Sequence, residues 1–121
     1  MSSTVPEHVT RTAQGEPVTL LEAVSEALYE EMERDPNVFI MGEDIGVYGG
    51  AFKVTRGLST RFPDRVYSSP ISEAGITGVA AGMALRGMRP VVEIMFGDFI
   101  CLAFDQIVNH ISKFQAMYNG Q

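Results

Sequence analysis

An α/β fold, a parallel sheet with helices on its faces, is what this sequence predicts, and three observations carry that reading. Segments with apolar residues at helical spacing alternate with short, continuous apolar runs. The runs are closed by glycine, proline or serine, as strands of a buried parallel sheet are. The 121 residues, 45% of them hydrophobic, are enough for one domain with a real core and for no more than one.

Taken in order, residues 1–16 are polar and without period, and are expected to form a flexible leader; structure is expected from Pro17 onward. Thr19 followed by Glu22 matches a capping box. Leu20, Leu21, Val24, Ala27, Leu28 and Met32 then recur at helical spacing until Asp35-Pro36 stops the helix. Glu22, Glu26 and Glu30 stand opposite that stripe at four-residue steps, where their mutual repulsion requires a solvated face. Val38 to Met41 is a continuous apolar run, the pattern of a strand buried on both faces. Residues 42–50 form a glycine-rich loop at that strand's carboxyl end, where open α/β sheets place ligand sites. The loop has the spacing of neither a phosphate loop nor a dinucleotide fingerprint, which makes it a surface or interface loop.

Residues 53–62 are expected to hold a short helix, and Val66-Tyr67 a short strand closed by Ser68, Ser69 and Pro70. A further helix runs from Ser72, its cap, to Gly87, its stop. Gly75, Gly78 and Gly82 inside it together cost roughly 2–3 kcal/mol relative to alanine. Such a face calls for close packing by another helix or a second subunit. Arg89 to Met95 reads as a strand, with Pro90 at its start, where a missing donor is tolerated. Phe104, Ile107, Val108, Ile111, Phe114 and Tyr118, set against Gln106, Asn109 and Lys113, predict a long last helix ended by Asn119-Gly120.

Composition excludes several function classes. A net charge of −6 argues against nucleic acid or an anionic membrane as partner. No apolar run reaches the roughly 18 residues of a membrane span, and the leader lacks a signal peptide's apolar stretch, so a cytoplasmic protein is expected. Cys101, the only cysteine, excludes an internal disulfide; its apolar context predicts a buried thiol. With that cysteine and two distant histidines, His8 and His110, a Cys/His metal site is not expected. His110 reads as a boundary residue of its helix. The carboxylates not assigned to a solvated helix face are Glu43, Asp44, Glu73 and Glu93. Glu73 lies in the first turn of its helix, facing the positive end of the macrodipole and unpaired N–H groups. That placement suits either a catalytic acid or a helix-stabilising one.

The stretch Pro70-Ile-Ser-Glu-Ala-Gly-Ile76, with Met41-Gly-Glu-Asp-Ile-Gly before it and Gly49-Gly-Ala-Phe-Lys-Val-Thr-Arg-Gly-Leu58 between, resembles the beta subunits of pyruvate, branched-chain and acetoin dehydrogenase complexes. The likeness continues through Arg89 to Met95, Asp98-Phe99 and Asp105 to His110, and covers residues 18–121 in order. It implies a three-layer, transketolase-like pyrimidine-binding domain, incomplete at its C-terminal side, with residues 17–121 as its N-terminal part. It also implies that Glu73 hydrogen-bonds the pyrimidine nitrogen of thiamine diphosphate opposite the amino group, relaying the proton whose removal activates the thiazolium carbon. Ile71, Met95 and Phe99 would form an apolar slot for the same ring, plain core packing being the alternative for Met95 and Phe99. No family role attaches to Glu93. The resemblance further implies an alpha subunit that holds Mg2+ and the diphosphate, a remaining beta-subunit polypeptide, and a lipoyl-bearing acyltransferase as acceptor of the acyl group. The chain is then a truncated fragment or one part of a divided beta subunit. A non-catalytic assembly or regulatory module and a carboligating, transketolase-like enzyme are the competing readings.

Overall fold

The computed structural model describes residues 17–118 and 120; the predicted leader lies outside them. The first helix, α1 (Leu20–Arg34), is started by the reciprocal bonds of a complete capping box: Thr19 Oγ1 accepts the Glu22 amide, and the Glu22 carboxylate accepts the Thr19 amide. Asp35, held extended before Pro36, ends it. Strand β1 (Val38–Glu43) follows at once, then a short helix α2 (Leu58–Arg61), β2 (Val66–Ser69), α3 (Glu73–Leu85) and β3 (Arg89–Glu93).

The three strands form a parallel sheet in the order β2-β1-β3. Ile40 is in register with Val66 on one side and Val91 on the other. Side chains of β1 therefore alternate between two cores. Val38 and Ile40 pack with Tyr29 and Met32 of α1 and with Ile45, Leu58 and Phe62. Met41 packs with Ile76 and Ala80 of α3 and with Val92. The α1 layer, the sheet and the α3 layer make the three layers expected, and the central strand is covered on both faces as its apolar run requires.

Several expectations need correction. Gly42 and Glu43 belong to β1, so the glycine-rich loop starts at Asp44. The helix expected over residues 53–62 is only the single turn of α2; Lys53, at φ +66, and Gly57, at φ +84, break the helical backbone before it. In α1, Ser25, Tyr29 and Met32 are buried and Leu28 packs half-buried against the core, whereas Leu20, Leu21 and Val24 are exposed. An amphipathic pattern marks a face that seeks a partner, and the described residues cover only the carboxyl-terminal part of that face. On the acidic side Glu22 and Glu30 are exposed and Glu26 is half-buried.

The long last helix is replaced by a 3₁₀ segment (Gly97–Ala103), a π-helical segment (Gln106–Ile111) and one α turn, α4 (Phe114–Met117). Its stripe makes little core: Phe104, Val108, Ile111 and Tyr118 are exposed. A helix is held regular mainly by burial of its apolar face, and this one has little to bury against. Ser112 Oγ also bonds back to the Val108 carbonyl. Cys101, expected to be buried, is exposed on the 3₁₀ segment. The glycines of α3 divide. Gly78 lies against the Gln106 side chain, Gly75 leaves room for Ser72 Oγ, and Gly82 has open space beside it.

Candidate functional site

Because all strands run the same way, their carboxyl ends share one rim of the sheet, the usual place for ligands in such folds. Glu43 ends β1, Glu93 ends β3, and Glu73 opens the helix that follows β2. Three of the four carboxylates singled out above thus meet at one rim. Asp44, the fourth, sits exposed in the left-handed region at φ +54, where a short polar side chain is tolerated.

Alternation then separates them. Glu43 follows Met41 on the α3 face, and Glu93 follows Val91 on the α1 face. Glu43 is buried, and its Oε1 accepts the backbone N–H of Ser72 at 3.0 Å, across 29 residues of sequence. Ser72 occupies the N-cap position but makes no side-chain cap of its own. The turn that delivers Glu73 is anchored instead by the carboxylate at the end of β1.

Glu73 is only 6% exposed. Among the described residues its carboxylate has no hydrogen-bond or ion-pair partner. A carboxyl in the first turn of a helix lies beside N–H groups that have no intrahelical acceptor. The apolar candidates are placed unequally. Met95 is half-buried just beyond β3, and Phe99, at the edge of exposure, is fixed edge-to-face against Phe96 with ring centroids 5.4 Å apart. Phe96 in turn meets Phe52 at 5.7 Å. Ile71, 84% exposed, makes no part of the core. Sequence reasoning missed Phe52 and Phe96; an aromatic on either side of the Gly97 turn was the available signal.

Glu93 is the electrostatic exception. Burial pushes its carboxyl above the ordinary carboxylate range, and Oε2 is sealed from solvent with no hydrogen-bond partner among the described residues. The glycine-rich loop folds over it: a Cβ on Gly50 would stand 3.0 and 3.1 Å from the two carboxylate oxygens. His110 is exposed, 3.8 Å from Asp105. No group of three or more His, Cys, Asp or Glu side chains among the described residues is arranged to hold a metal ion.

The domain is a parallel three-layer one with a buried acid at the head of the helix after β2. The family model for the transketolase pyrimidine-binding domain matches residues 16–119, and the chain belongs to that family. Its curated relatives include beta subunits of pyruvate dehydrogenase and of 3-methyl-2-oxobutanoate dehydrogenase. The chain is 47% identical over 113 residues to the mitochondrial pyruvate dehydrogenase E1 component subunit beta-1 of Oryza sativa subsp. japonica, covering 93% of this chain and 30% of the relative. It is 49% identical over 105 residues to the pyruvate dehydrogenase E1 component subunit beta of Rickettsia felis, covering 86% and 32%. It is 44% identical over 105 residues to the 3-methyl-2-oxobutanoate dehydrogenase subunit beta of Mycobacterium tuberculosis, covering 86% and 30%. The chain therefore spans just under a third of the length of these relatives. Plant relatives carry mitochondrial or chloroplastic names, and no helix among the described residues is long and apolar enough to cross a membrane.

Proposed function

We propose that this chain is the N-terminal, pyrimidine-binding part of a beta subunit that decarboxylates a 2-oxo acid with thiamine diphosphate, acting in a hetero-oligomer with an alpha subunit and the rest of the beta polypeptide. The observation that carries the reading is Glu73: a buried carboxyl without a partner among the described residues, in the first turn of α3, at the ligand rim of a sheet of this family.

The donor set suits the pyrimidine half of the cofactor. Glu73 would hydrogen-bond the ring nitrogen opposite the amino group through a carboxyl oxygen and pass a proton there. Its first-turn N–H neighbours stabilise the charge when that proton is given away. Glu43 keeps the turn before Glu73 in place. Ile71, Met95 and Phe99 are the apolar side chains that would lie against the pyrimidine ring in this reading. When bound, thiamine diphosphate supplies the electron sink that takes up the pair left by departing carbon dioxide. The diphosphate and Mg2+ belong to the alpha subunit in this reading, and the acyl group leaves to a lipoyl-bearing acyltransferase. A cytoplasmic setting completes the proposal.

The test is to assemble the chain with an alpha subunit and the remaining beta polypeptide and measure cofactor binding and 2-oxo-acid decarboxylation, with and without Glu73→Gln. Turnover lost by at least about 100-fold in an intact assembly is the expected result. Unchanged turnover removes Glu73 from the chemistry, and an assembly that never binds the cofactor makes the chain a non-catalytic interface module.

A further inference from the structure

The glycine-rich loop, residues 44–57, closes over a carboxyl group at the end of β3. Two glycines wall it in. A Cβ on Gly42 of β1 would stand 3.1 Å from the Glu93 Cβ, and one on Gly50 would stand 3.0 and 3.1 Å from the two carboxylate oxygens. The wall over the carboxyl is therefore loop backbone, and beneath it Oε2 is sealed from solvent with no hydrogen-bond partner among the described residues. The nearest donors are spent inside the loop. The Gly49 amide bonds the Gly46 carbonyl, the Gly50 amide the Asp44 carbonyl and the Thr55 amide the Gly49 carbonyl. Thr55 Oγ1 donates to the Ile45 carbonyl at 2.9 Å.

The charged groups on the surrounding elements are placed elsewhere or are acidic. On β1, Glu43 bonds the Ser72 amide from the α3 face of the sheet. On the loop, Asp44 and Arg56 are exposed, and the Lys53 ammonium donates to the Tyr48 carbonyl and covers the Tyr48 ring. On α1, Glu22 is bonded to Thr19 and Glu26 is half-buried; beyond β3, Asp98 is exposed. A neutral carboxyl tolerates enclosure by Gly50, but an ionised one sealed without a donor loses the hydration that stabilises its charge. The loop is also held against its own backbone, with Asp44 at φ +54 and Lys53 at φ +66. Just past Gly50, Phe52 rests edge-on against Phe96 with ring centroids 5.7 Å apart, and Phe96 rests likewise against Phe99 at 5.4 Å.

We propose that Glu93 is a proton-operated latch on the glycine-rich loop: protonated, it lets Gly50 lie on the carboxyl and the loop close; ionised, it draws in water, lifts residues 49–55 and withdraws Phe52 from Phe96. Burial raises this carboxyl above its ordinary range. The closed loop thus holds the proton more tightly than an open one, and opening sets in as pH rises through the raised value. The aromatic chain at the rim then loses its loop-side member. That Phe99 faces a cofactor rests on the proposed function; the latch does not.

The test is NMR of the full 121-residue chain between about pH 4 and pH 7.5, with amide exchange corrected for the pH dependence of an unstructured chain. Protection of the Gly50 and Thr55 amides should fall at least about 5-fold across that range in wild type and hold in Glu93→Gln, whose Ile40 amide reports its folding. Nuclear Overhauser contacts between the Phe52 and Phe96 rings should fade over the same range, while those of the stacked Phe39-Tyr67 pair persist and exclude global unfolding. The midpoint should coincide with the titration of the Glu93 side-chain carboxyl carbon, a comparison that needs no variant. A Phe52-Phe96 contact that survives ionisation of Glu93 overturns the latch. So do matching protection profiles in wild type and Glu93→Gln, or a loop transition whose midpoint lies apart from the Glu93 titration. None of these readings involves a cofactor, so Glu73 stands or falls on its own test.

Discussion

Removing the Glu43 carboxylate isolates the contact that holds Glu73 in place. In Glu43→Ala the Ser72 amide loses a charged acceptor at 3.0 Å. Such a bond contributes about 1.5–3 kcal/mol, and because Ser72 itself is exposed, water restores part of it. Loss of the buried side-chain methylene adds about 0.8 kcal/mol. The sum is roughly 2–3 kcal/mol. For a domain of this size that lowers the melting temperature by on the order of 10 °C. Glu43→Gln keeps the methylenes and a carbonyl acceptor and should cost less than about 1 kcal/mol. Urea and thermal unfolding of the wild type and both variants, followed by circular dichroism, give the comparison. An alanine variant within about 0.5 kcal/mol of wild type, or a glutamine variant as unstable as alanine, would show that the turn before Glu73 is held by something else.

Four further outcomes are expected. Gly49→Ala should be destabilised by more than about 1 kcal/mol, because Gly49 sits at φ +83 and a Cβ there would lie 2.8 Å from Arg56 Cα; chemical denaturation measures it. Thr19→Ala, which removes the acceptor for the Glu22 amide, should cost about 1 kcal/mol by the same method. Met32→Ala, at a side chain 1% exposed, should cost about 2–5 kcal/mol, and a smaller loss would mean that the α1 core collapses around the gap. For Glu93 the sign follows from a carboxyl raised on folding. The folded chain holds the proton more tightly, so this residue's contribution is fully present below the ordinary carboxylate range and is lost as pH rises through the raised value. Glu93→Gln should remove that pH dependence and gain relative stability toward neutral pH, and parallel stability profiles for the two proteins would contradict it.

What could be read in advance was what is local. Thr19 and Glu22 are three residues apart, and their reciprocal bonds are encoded by those two side chains alone. The apolar run Val38 to Met41 announced a strand covered twice, and the alternation of elements announced the parallel order. The Glu43 anchor escaped notice because its partner is a backbone amide 29 residues away, brought near only by the pairing of β1 with β2. Loop 44–57 is shaped by bonds within itself such as Thr55 Oγ1 to the Ile45 carbonyl and by positive φ at Asp44 and Lys53, which no period reveals. The last segment failed for the opposite reason. Its stripe from Phe104 to Tyr118 has a helix's period, but a period shows which side seeks burial and not whether anything is there to provide it. Leu20 and Val24 on α1 misled in the same way. At the candidate site, the place of Glu73 at a helix start was legible in advance, whereas the contacts among Phe52, Phe96 and Phe99 needed the fold to bring them together.

The most direct test of the central claim is the rate at which the thiazolium carbon of bound thiamine diphosphate exchanges its proton for deuterium, followed by NMR in the assembled enzyme with wild-type and Glu73→Gln chains. If Glu73 shares its proton with the pyrimidine ring, exchange should slow by at least about 100-fold in the variant while the cofactor stays bound. Equal exchange rates at equal occupancy would contradict that role.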